Sequence, residues 1–164
     1  MKIMLLLVAA GCAASTPVDP ATYYERYVAS YDLNALLDEP WVSAELKGLL
    51  GPELDHLLLN LNVTGSIGVV AGALTASGNA PHRGGEEEAV LCFHPERRVI
   101  EAAIYSRGSV VVYAREPHYP NLTLCIKDWI TDVNAAHAAR MRQPGNVRLD
   151  NGQTAPRVNA ACGQ

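Results

Sequence analysis

His82 and Glu86 are the residues of this 164-residue chain whose types and spacing most invite chemistry. Four positions apart, they would share one face of a helix and hold a metal ion between them. The residues around them oppose a helix. Gly84 and Gly85 favour turn and loop backbone, and Pro81 fixes its own φ and pushes Ala80 toward an extended conformation. Glu86-Glu87-Glu88 then leads into a strand pattern, in which alternate side chains face opposite ways. The cysteine spacings match no zinc site either. No metal and no cofactor is expected. The stretch Gly78-Asn79-Ala80-Pro81-His82-Arg83-Gly84-Gly85 is better suited to presentation: a stiff, protruding loop with an imidazole near its tip, offered to a partner's cleft. Taken alone, His82 reads first as an exposed loop histidine without a role. Catalytic signatures are missing. There is no Gly-x-Ser-x-Gly, no P-loop and no Cys–His pair, and Asp55-His56 has no nucleophile to activate, so the chain is not read as an enzyme.

The elements around this loop must position it. From Gly65 onward the pattern is that of strands. Residues 67–70 and 73–76 are short candidates with Gly72 at a turn. Residues 89–93, 99–105 and 109–114 are rich in β-branched and aromatic side chains. Arg107-Gly108 and 94–97 read as hairpin turns, and connections so short demand antiparallel neighbours. Before the strands, Asp19-Pro20 reads as an N-cap with proline at the first helical position. That helix runs through Tyr23, Tyr24, Tyr27, Val28 and Tyr31, an aromatic stripe that reads as core before it reads as a recognition surface. Pro40 starts a second helix and Leu54 a third, with His56 on it and no evident partner. After the strands, Pro120-Asn121 opens a helix through Trp129 whose apolar spacing lets it lie on one sheet face. The expectation is an α+β fold: N-terminal helices, an antiparallel sheet of about five strands, a C-terminal helix on one face and a protruding histidine loop.

Composition bounds the setting. Hydrophobic residues make up 49% of the chain, enough to build a core. The formal net charge of -4 disfavours nucleic acid as a partner. Residues 16–141 carry 9 Lys/Arg against 16 Asp/Glu, a balance of -7, whereas 142–164 carries three arginines and one aspartate. An acidic body suits a basic partner, and equally keeps a protein soluble. Lys2, an apolar run from Ile3 to Ala10 and the small residues after it read as an export leader over 1–14. Val8-Ala9-Ala10-Gly11-Cys12 resembles a bacterial lipobox in which Cys12 is lipidated; ordinary cleavage near Ala13 or Ala14 is the other reading. The run is too short to span a bilayer. An oxidising compartment permits a Cys92–Cys125 bridge; both residues read equally well as small buried hydrophobes. Residues 16–141 form one expected domain, and 142–164 an unstructured polar tail.

The loop resembles the key loop of the Ivy-type periplasmic lysozyme inhibitors. In that family a segment of the form Cys-x-Pro-His-x-Cys carries a histidine that enters the active site of c-type lysozyme. Pro81-His82 match its centre, Ala80 and Arg83 fall on its variable positions, and Asn79 and Gly84 stand where the family has cysteines. The likeness continues through Glu87-Glu88-Ala89-Val90, Ala102-Ala103-Ile104, Val111-Val112-Tyr113 and Lys127-Asp128-Trp129-Ile130, over roughly residues 60–131. It implies a periplasmic inhibitor that binds c-type lysozyme through Ala80, Pro81, His82, Arg83, Glu86 and Glu87. The competing reading is an immunity or scaffold lipoprotein that binds another cell-wall hydrolase or envelope partner.

Overall fold

The computed structural model describes residues 19–137 and 146–151. Helices α1 (Pro20–Tyr27), α2 (Leu33–Leu37), α3 (Pro40–Leu50) and α4 (Leu54–Asn60) come first. Strands β1 (Val63–Thr64), β2 (Gly68–Val70), β3 (Ala73–Asn79), β4 (Glu87–His94), β5 (Val99–Ser106) and β6 (Ser109–Tyr113) follow, then helix α5 (Leu124–Ala136) and strand β7 (Val147–Leu149). The fold is α+β.

The sheet runs in the order β1-β3-β4-β5-β6-β7, with β2 also paired to β3. All pairs are antiparallel except β6–β7. The exception follows from connectivity: α5 lies between those strands and carries the chain back to the end where β6 began. Thus the described residues hold seven strands where about five were expected. Residues 147–149 form β7 rather than part of an unstructured tail, with Val112 opposite Leu149 and Asp150 N–H donating to Val112 C=O at 2.8 Å.

Strand alternation splits the core into two layers. Leu91, Phe93, Ile100, Ala102 and Ile104 face the N-terminal helices. Val90, Cys92, Ala103, Tyr105 and Val112 face α5. Both faces are covered, which explains why β4 reads as an unbroken apolar run rather than an alternating one. A disulfide joins Cys92 on β4 to Cys125 on α5 and pins that helix to its face.

The first two helices start at side-chain caps. Asp19 accepts from Ala21 N–H, and Asp32 from Ala35 N–H, each at 3.0 Å. The first helix is shorter than the aromatic stripe implies. Val28 is extended and Ala29 is left-handed at φ 61°, so the chain turns before Tyr31, which is exposed. Tyr27 is buried, and Tyr23 packs edge-on to Phe93 at 5.1 Å. Two tight hairpins use left-handed pairs, Ala71-Gly72 and Arg107-Gly108.

Candidate functional site

The connection between β3 and β4, two interior strands, carries His82. It consists of two successive turns. Ala80 C=O accepts from Arg83 N–H at 3.0 Å, with Pro81 second and His82 third. His82 has φ 61°, the left-handed angle that the third position of a type II turn demands. For a residue with a side chain this costs about 1–2 kcal/mol. Arg83 C=O then accepts from Glu86 and Glu87 N–H, each at 3.0 Å, with Gly85 left-handed at φ 82°. Ala80 N–H closes the base by donating to Glu87 C=O at 3.1 Å, and Arg107 N–H of the neighbouring hairpin donates to Glu86 C=O at 3.0 Å. Proline and the glycine pair thus produce the exposed turn that their residue types imply.

His82, Arg83 and Glu86 are exposed, and Pro81 is half-buried. Arg83 and Glu86 approach each other at 3.8 Å and remain largely solvated. Two of the expected contact residues are placed otherwise. Ala80 is 2% exposed and points into the fold. Glu87 is 5% exposed and belongs to the loop's foundation, not its rim. Its position on β4 turns it toward α4, where one carboxylate oxygen meets His56 Nε2 at 2.9 Å and Asn60 Nδ2 at 3.4 Å. The other accepts from Ser106 Oγ at 2.9 Å. Burial pushes the Glu87 carboxyl up, but the hydrogen bonds from His56, Ser106 and Asn60 outweigh it and hold it below the usual carboxylate range.

The next glutamate faces the opposite way, as strand alternation requires. Glu88 Oε1 accepts from Gly85 N–H at 3.0 Å and meets His137 Nε2 at 3.0 Å. The His137 ring lies flat on Tyr105, with centroids 4.6 Å apart and planes 5° from parallel. His56, with Glu53 at 3.3 Å as well as Glu87, is therefore not without partners. Asn60, Ser106, Tyr105 and His137 carried no local signal in the sequence, because their partners lie 19 to 49 residues away. The Glu86-Glu87-Glu88 alternation implied opposite faces but named no partners on them.

Asn79 and Gly84 face each other across the loop base. A Cβ added to Gly84 would lie 3.8 Å from Asn79 Cγ, and the Asn79 amide donates to Ala80 C=O at 2.9 Å. Cys92 and Cys125 form their bridge in the core, at the far side of the sheet face from solvent. Cys12 lies outside the described residues. Among the described residues no group of three or more His, Cys, Asp or Glu side chains is placed to hold a metal ion, and no helix is long and apolar enough to cross a membrane.

An exposed imidazole on a braced turn, flanked by one cation and one anion, can enter a cleft and hydrogen-bond to acidic groups there. Residues 42–143 match the family model described as inhibitor of vertebrate lysozyme (Ivy). No curated protein and no solved structure gives a match.

Proposed function

This chain belongs to the family of inhibitors of vertebrate lysozyme, and from that premise we propose that it blocks a c-type lysozyme by inserting His82 into the active-site cleft. The observation that carries this reading is the placement of His82: exposed, beside Pro81, in a left-handed turn on a hairpin of two interior strands. A retaining glycosidase holds two carboxyl groups about 5 Å apart. A protonated imidazole offers two N–H donors, one for each carboxylate, and charge-assisted hydrogen bonds are the strong ones. The ring also takes the volume that the sugar needs. Arg83 and Glu86 contact the rim of the cleft. The acidic balance over 16–141 speeds encounter with a basic lysozyme.

The leader supports a periplasmic location, and the Val8–Cys12 segment supports a lipid tether on Cys12. Metabolic labelling with a fatty-acid analogue tests the tether: equal labelling of wild type and Cys12→Ala rules it out. The inhibitory reading is tested by inhibition constants of wild type and His82→Ala against c-type, g-type and i-type lysozymes. Wild type should inhibit the c-type enzyme, and His82→Ala should lose about 2–4 kcal/mol of affinity, the range of a central hot spot. Equal inhibition by both proteins overturns insertion. Inhibition of another cell-wall hydrolase alone would assign the loop to an immunity role.

A further inference from the structure

The loop that presents His82 has no covalent tie across its base, where Asn79 faces Gly84. Its ties are polar, and they divide by what they reach. Glu87 binds His56, Asn60 and Ser106, all of which secure the start of β4. Glu88 reaches the backbone of the loop's second turn, through Gly85 N–H, while the same oxygen meets His137 at the C-terminal end of α5. His137 in turn is fixed by its stacking on Tyr105 and by its own N–H, which donates to Val133 C=O at 2.9 Å. An unbroken chain of contacts therefore runs from the disulfide-pinned helix to the Gly84-Gly85 turn. That turn shares Arg83 with the His82 turn, so fixing one restrains the other.

We propose that Glu88 and His137 are positioning residues for inhibition: they hold the Gly84-Gly85 turn, and through Arg83 the left-handed His82 turn, in the conformation that enters the lysozyme cleft. The proposal rests on the insertion reading and deepens it. Left-handed backbone at a histidine is strained, so an unbraced turn relaxes to other conformations. Binding then bears the cost of restoring it. With the brace, that ordering is completed at folding.

The test uses inhibition of a c-type lysozyme by the whole protein. His137→Ala and Glu88→Ala should each weaken inhibition at least tenfold while far-UV circular dichroism stays native. The double variant should be about as weak as either single one, because both break one link. A covalent brace across the same loop, Asn79→Cys with Gly84→Cys, should bring His137→Ala back to within threefold of wild type. Asn79→Ser with Gly84→Ser should not. Amide exchange at Gly85 should accelerate in His137→Ala without any lysozyme present. Wild-type inhibition by His137→Ala, failure of the bridged form to recover, or unchanged exchange at Gly85 each overturns the proposal. His82→Ala run alongside separates the two ideas. If it inhibits as well as wild type, insertion itself fails; if it is inactive while His137→Ala is fully active, only the positioning role fails.

Discussion

Thr123 gives both its backbone N–H and its hydroxyl to the buried carboxyl of Glu101, at 3.1 and 2.5 Å. Burial is the larger effect and pushes the Glu101 carboxyl up; these two bonds, with Arg97 and Lys127 more distantly, pull the other way without cancelling it. A carboxyl raised in the folded state stays protonated after the unfolded chain has released its proton. Its stabilisation is full below the unfolded value of about 4.3 and declines as pH rises through the folded value. Glu101→Gln, which cannot titrate, should therefore gain on wild type as pH climbs from 4 to 7. Chemical denaturation at both pH values checks this. A constant difference would contradict it.

His82 sets stability against function at one position. Glycine accepts φ 61° without strain, so His82→Gly should raise stability by about 1 kcal/mol, even after allowing for the freedom glycine adds to the unfolded chain. The same variant should lose inhibition as fully as His82→Ala. Melting temperature and inhibition constant, measured on one preparation, should move in opposite directions.

Glu87 lies at the opposite extreme from a rim charge. Glu87→Gln leaves His56 and Ser106 facing a neutral acceptor and should cost about 1–3 kcal/mol at pH 7. The wild-type carboxyl is depressed, so its stabilisation is present above about pH 4.3 and lost as pH falls through the folded value. The two proteins should converge in stability on acidification. Because the side chain is buried, high salt should change the difference little, and a salt-sensitive difference would argue for a solvated charge.

The Cys92–Cys125 bridge closes a loop of 33 residues, worth about 4 kcal/mol in the chain-entropy account. Cys92→Ala with Cys125→Ala should lose stability of that order in denaturant. Below its melting transition the variant should still inhibit, since Cys92 sits mid-strand on β4, opposite Thr75 and Glu101 rather than at the loop end of that strand. Loss of inhibition in a folded variant would mean that α5 shifts without its tie.

The strands β4, β5 and β6 were legible because apolar runs with β-branched and aromatic residues are bounded by residues that tolerate tight turns. The exposed histidine loop was legible for the same local reason: Pro81, Gly84 and Gly85 act on their own backbone. Features that depend on distant partners were not. β7 holds only Val147 and Leu149 as apolar residues and exists because β6 offers an open edge. α2 spans five residues, too few for a periodic signal. Glu86, Glu87 and Glu88 look alike in sequence, yet one is solvated, one faces α4 and one faces α5. His56 and His137 gained their roles only when the sheet brought those glutamates to them.

Cys92 is fully buried and Cys125 is 2% exposed. A thiolate must reach a sulfur atom in order to attack it, so reductants meet this bridge only after α5 has lifted from the sheet. Reduction by external thiols is then slowed in proportion to how rarely that helix opens.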